Sequence, residues 1–159
     1  MKIRANGIDI EIEDSGAESP PAAGAKARPV VLLIMGLGMQ LIAWPQALVD
    51  GLVARGFRVL RLDNRDIGLS QGFDHAGVPH MALAGLRHLM HLPVRSPYSL
   101  ADMARDALSV LDALGIHRRL LIVSACYSGV FVPVLSGPQT AIFSAASSDR
   151  SSFGCMAEN

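Results

Sequence analysis

Residues 30–35, VVLLIM, are six apolar residues in succession with no alternation. A strand with one wet face alternates apolar and polar side chains, so an unbroken apolar run this short needs cover on both faces. Residues 57–63 (FRVLRLD) and 118–123 (RRLLIV) read as further strands, and residues 140–146 (TAIFSAA) as a fourth. Helical patterns lie between them. Trp44 and Pro45 open one helix, with proline in the first turn where its missing N–H costs nothing, and Gly56 closes it. Leu48, Val49, Leu52 and Val53 form its apolar side. Ser99 and Asp102 have the spacing of a capping box. Leu100, Met103, Ala107, Leu108, Leu111 and Leu114 then make one stripe that ends at Gly115. Strands alternating with helices predict a mainly parallel sheet with right-handed crossovers and helices on both faces, an α/β fold.

Ahead of this pattern, residues 2–13 (KIRANGIDIEIE) alternate on both sides of Asn6 and Gly7, which predicts an N-terminal hairpin. Residues 14–29 are rich in Ala, Pro and Gly without periodicity and read as a loop. The chain has 159 residues, half of them apolar, enough for one domain with a sizeable core.

Fourteen basic residues balance fourteen acidic ones, which argues against a nucleic-acid or anionic-membrane partner, since both need a concentrated positive field. The N-terminus lacks the apolar core of a signal peptide. The longest apolar stretch, residues 120–135, is interrupted by Ser124, Ser128, Gly129 and Pro133 and falls short of a membrane span. Two cysteines, Cys126 and Cys155, make no disulfide framework. The expectation is a cytoplasmic protein with reduced thiols, Cys155 being an exposed tail thiol.

Ligands of such sheets bind at the carboxyl ends of the strands. Three stretches fall there: residues 35–40 (MGLGMQ), 62–70 (LDNRDIGLS) and 124–129 (SACYSG). Gly36 and Gly38 let backbone N–H groups face a ligand, as an oxyanion hole requires. Together with LLIMGLGMQLIAWP, the Asp63, Arg65, Gly68, Ser70 pattern resembles the amino-terminal half of the α/β-hydrolase family over residues 1–118. The resemblance implies a partial α/β-hydrolase-like three-layer sandwich with an ester or small acyl substrate, and the N–H of Leu37 as one oxyanion donor. Met35 stands where many members have a non-catalytic histidine. At the family's nucleophile elbow, small residues flank the nucleophile at two positions either side. Ser124, Cys126 and Ser128 meet that rule, which implies Cys126 as nucleophile and the Tyr127 N–H as second oxyanion donor.

The end of the chain has another likeness. LIVSACYSGVFVPVL followed by TAIFSAASSDRSSFGC resembles the legumain-type cysteine peptidases over residues 115–159, where Ala-Cys-Tyr-Ser-Gly carries the nucleophile. That family's base is a histidine followed by glycine, and no such pair occurs here. The hydrolase order places the acid and then the histidine after the nucleophile. No histidine follows His117, and Asp149 and Glu158 are the only acids after Cys126. The expected organisation is a single domain over residues 1–159, truncated or composite with a junction near 115–119.

Cys126 is thus either a nucleophile on a tight turn or a small buried residue beneath the sheet. His88 and His91, with His80 near, have metal-binding spacing but no cysteine or acidic ligand, so no metal is expected, and no motif implies a cofactor. Asp63 and Arg65 are expected to pair within their loop, and Trp44 to anchor the core under the oxyanion turn. Function divides between an acyl hydrolase working through Cys126 and a non-catalytic remnant or binding module. An exposed sheet edge is expected to drive self-association.

Overall fold

The computed structural model describes residues 1–16, 28–36, 38–77, 80–94 and 96–150. It has strands β1 (Lys2–Ala5), β2 (Ile8–Ser15), β3 (Val30–Met35), β4 (Arg58–Leu62), β5 (Arg119–Ser124) and β6 (Thr140–Ser144). The longer helices are α1 (Gln46–Ala54), α2 (Met81–Leu89), α3 (Leu100–Ala113) and α4 (Phe131–Leu135). Most of the expected loop at 14–29 lies outside the described residues.

One sheet of six strands runs in the order β1-β2-β4-β3-β5-β6. β3 lies between β4 and β5 and is parallel to both, with Leu32 opposite Leu60 on one side and Leu121 on the other. This central place accounts for its unbroken apolar sequence. Val30, Leu32 and Ile34 join one core with α3, through Ala104, Ala107, Val110 and Leu111. Val31 and Leu33 face the other way, against Trp44, Val49 and Val59. The result is three layers, α1 on one face of a mixed sheet and α3 with α4 on the other. The β1–β2 hairpin turns at Asn6 and Gly7, both at positive φ (47° and 80°), and β2 joins β4 antiparallel. Two positive φ angles give the turn a twist that matches the strands.

The capping box at Ser99 forms as read. Its hydroxyl accepts from the Asp102 N–H, and the Asp102 side chain accepts from the Ser99 N–H. The Ser99 hydroxyl and N–H bonds hold the Asp102 carboxyl below its ordinary pKa. Two details of the helices differ from expectation. Leu48 and Leu100 are more than a third exposed, and α3 buries Ala104, Asp106 and Val110 in addition to Ala107 and Leu111. α2 carries its apolar residues at helical spacing but on an outward face, with Met81, Leu83, Leu86 and Leu89 exposed.

Among the described residues β6 pairs with β5 alone, leaving its other edge open, and Phe143 on it is 65% exposed. An open apolar edge is a template for strand pairing. Light scattering across a concentration series should show self-association, weakened by Phe143→Lys. A monomer at every concentration would rule out the edge as an interface.

Candidate functional site

The carboxyl ends of β3, β4 and β5 meet where the three motifs converge. The residue types of the 63–70 loop follow from what Asp63 has to hold. Its buried carboxylate accepts the Leu41 N–H at 2.7 Å and the Leu69 N–H at 3.0 Å. The first bond ties the chain just past the glycine turn; the second closes its own loop. Gly68 has φ +57°, and a Cβ there would run into the Asp63 carboxylate. Ser70 donates to the Asp63 carbonyl at 2.7 Å and accepts the Glu11 N–H at 2.9 Å, joining the loop to β2. The Asn64 amide donates to the Met35 carbonyl at 2.9 Å and so holds the last residue of β3.

Asp63 and Arg65 do not pair, contrary to expectation. Arg65 turns the other way and makes two 2.6 Å bonds to Asp106 of α3, both residues being buried. Asp106 also accepts from the Asn6 amide at 2.8 Å. The reason is geometric: Asp63 is already spent on two backbone N–H groups, and a buried guanidinium needs a bidentate carboxylate. The Phe73 and Tyr98 rings flank Arg65 at 5.5 and 5.3 Å. The Asp106 bonds raise the pKa of Arg65 further, and burial, then the bond to Asp66, raises that of Tyr98.

β5 ends at Ser124 and the chain turns sharply. Gly36 comes so near that a Cβ on it would lie 2.9 Å from the Ser124 carbonyl oxygen. Tyr127 adopts the left-handed conformation (φ 56°, ψ 23°), a strain of about 1–2 kcal/mol for an L-residue. The positive φ falls on Tyr127, one residue past the cysteine. Cys126 is half-buried and disulfide-bonded, which corrects the expectation of a reduced thiol at this position. A bridge depends on whether the fold brings two sulfurs together, which a count of two cysteines does not reveal.

The segment after β6 returns over this turn. The Tyr127 N–H donates to the Arg150 carbonyl at 2.9 Å. Ser128 is fully buried; its hydroxyl accepts the Ala146 N–H at 2.9 Å and donates to the Ala146 carbonyl at 3.2 Å. A Cβ on Gly129 would lie 3.0 Å from the Ser147 Cα and still closer to the Ser148 nitrogen. The small residues at 128 and 129 are therefore explained by the returning segment that crosses them. The sequence signalled the need for small residues but not the returning segment.

Of the other expected site residues, Leu37 and Cys155 lie outside the described residues. Trp44 is buried between α1 and β3 as a core anchor, and its Nε1 has no hydrogen-bond partner. His75 packs near Phe73, and His80 and His88 belong to the start and end of α2, with His91 just beyond. His117 precedes β5 and so lies at the opposite end of that strand from Cys126. Among the described residues no group of three His, Cys, Asp or Glu side chains is placed to hold a metal ion, and no helix is long and apolar enough to cross a membrane.

Known proteins resemble this chain in two ways. The model of the Peptidase C13 family, the legumain type, matches residues 84–159. That match begins inside α2, upstream of the boundary at 115 expected from motifs alone. Rhodomycin D methylesterase DauP of Streptomyces sp. (strain C5) is 36% identical over 90 residues, 57% of this chain and 24% of that protein. Rhodomycin D methylesterase DnrP of Streptomyces peucetius is 36% identical over 89 residues, again 24% of its length. The chain thus spans about a quarter of the length of the curated relatives it matches. Among solved structures, epoxide hydrolase A from Mycobacterium thermoresistibile has a TM-score of 0.61 at 18% identity, over 91% of this chain and 37% of that one. The enol-lactonase from Burkholderia xenovorans LB400 has a TM-score of 0.52 at 24% identity, over 77% and 36%. At these identities the likeness is one of fold, and the fold is a partial α/β-hydrolase-like one.

Proposed function

We propose that the chain carries the nucleophile half of an acyl-transfer site for an ester or small acyl substrate. Cys126 in its thiol form is the nucleophile, and the N–H groups of Tyr127 and Leu37 are the oxyanion donors. The observation that carries this reading is the strained Tyr127 turn at the end of β5, packed against the glycine turn that ends β3. Strained backbone of this kind concentrates at functional sites. The methylesterase relatives support an ester as the substrate class, and the family match over residues 84–159 supports cysteine as the nucleophile.

In the step proposed, the thiolate sulfur attacks the acyl carbon and the carbonyl electron pair moves onto oxygen, where the two N–H groups receive it. Collapse breaks the ester C–O bond, leaves a thioester on Cys126 and releases the alcohol or phenol portion. Water then hydrolyses the thioester to the acid and restores the thiol. Both halves need a proton acceptor, and no histidine is supplied on the strand ends that carry the turn. Donors without a complete triad typically leave only about 10³–10⁴-fold acceleration over water. A reducing compartment such as the cytoplasm would keep Cys126 in the thiol form. The reading treats residues 1–159 as one domain of composite sequence, its parts meeting near 115–119, and the unbroken pairing of β5 with β3 supports the single domain.

The test uses the chain kept reduced by a phosphine, with p-nitrophenyl acetate, whose leaving group needs no proton. About one equivalent of nitrophenolate should be released in a burst with no steady turnover. Cys126→Ala should abolish it. Sustained turnover dependent on Cys126 would show that a base is present. Absence of any Cys126-dependent burst would instead favour a second reading, a non-catalytic module or remnant bearing the nucleophile segment of a legumain-type peptidase. One observation favours that second reading: the Tyr127 N–H is already bonded to Arg150.

A further inference from the structure

We propose that residues 145–150 are an autoinhibitory strap, whose Arg150 carbonyl occupies the Tyr127 N–H in place of a substrate acyl oxygen. The inference rests on the proposed function, in which that N–H is an oxyanion donor. The 2.9 Å distance from Tyr127 N to Arg150 O lies within the 2.7–3.1 Å at which such donors hold an oxyanion. One N–H holds one hydrogen, so a substrate carbonyl and the Arg150 carbonyl compete for it.

The strap is anchored at its start, and once the Cys126 disulfide is reduced the Tyr127–Arg150 bond is what holds its end. The Ala145 N–H bonds the Val123 carbonyl at 3.0 Å, and Ala146 exchanges two bonds with the buried Ser128 hydroxyl. Residues 147–150 are all exposed. In the reduced chain a segment with so little burial opens locally at small cost. Its approach depends on the missing side chain of Gly129, over which the backbone of Ser147 and Ser148 passes. The Gly129 φ is not among the positive ones, so alanine fits the backbone there while its methyl group occupies the strap's path.

The experiment compares the reduced full chain with Gly129→Ala and with Ser128→Ala, which removes the anchoring hydroxyl. Two quantities are followed, hydrogen exchange of the Tyr127 amide and the rate of the p-nitrophenyl acetate burst. Freeing one hydrogen bond of ordinary net strength should raise both by about two- to tenfold in either variant. Faster exchange with an unchanged burst, still abolished by Cys126→Ala, would overturn the strap and leave the nucleophile standing. A burst absent from every variant, exchange notwithstanding, would overturn the nucleophile and the strap with it. Unchanged exchange in both variants would show a fixed part of the turn and also overturn the proposal.

Discussion

Asp106→Ala is expected to destabilise the chain by about 3–5 kcal/mol, the cost of stranding a buried charge. Arg65 and Asp106 have side chains only 7% and 3% exposed, so neither can turn to solvent when the other is removed. The guanidinium would stay between the Phe73 and Tyr98 rings with its two 2.6 Å acceptors gone, and the Asn6 amide would lose its bond as well. The damage spreads, because this one carboxylate joins α3, the β1–β2 turn and the loop after β4. Urea unfolding checks it, as a fall in midpoint at constant slope. Replacing both partners by apolar residues of similar volume, Arg65→Met with Asp106→Leu, should cost much less than either single change. A single change costing under about 1 kcal/mol would mean that water reaches the pair.

The sheet was legible because its central strand has a sequence no other position allows. VVLLIM needs two neighbours and two covered faces, and β3 has both. The hairpin was legible from Asn6 and Gly7, and the start of α3 from Ser99 and Asp102, since each signal is local. What escaped depends on contacts between distant residues. The partner of Arg65 is 41 positions away on a helix face where an aspartate interrupts an apolar stripe. The Arg150 carbonyl on Tyr127 likewise arises from chain return, and that Cys126 is disulfide-bonded is not something a count of two cysteines reveals. α2 is a different case, since Leu83, Leu86 and Leu89 recur at helical spacing but face outward, so the spacing fits a surface helix and marks no core contact.

The pattern Asp63, Arg65, Gly68, Ser70 was recognised by resemblance, and its physical meaning can be tested at Gly68. Gly68→Ala puts an L-residue at φ +57°, which costs about 1–2 kcal/mol, and drives its methyl group into the Asp63 carboxylate. The methyl group falls on the carboxylate oxygen that holds the partly exposed Leu69 N–H. The shift it forces draws the other oxygen off the buried Leu41 N–H, which left unpaired costs about 1–3 kcal/mol more. The expected total is about 2–5 kcal/mol. Gly115 supplies the comparison, with φ +67° just past the end of α3 and nothing within 4 Å of a Cβ, so Gly115→Ala should show the backbone strain alone. Equal losses for the two variants would mean that Asp63 moves aside freely and that the loop does not depend on it. In an Asp63→Ala background the collision is absent, and Gly68→Ala should fall to the Gly115→Ala value. That fall would identify the carboxylate, rather than the turn, as what requires glycine. Because the Leu41 N–H follows directly on the glycine turn after β3, Gly68→Ala should also slow the Cys126 burst beyond what its loss of folded population accounts for. Burst amplitude normalised to folded protein separates the two effects.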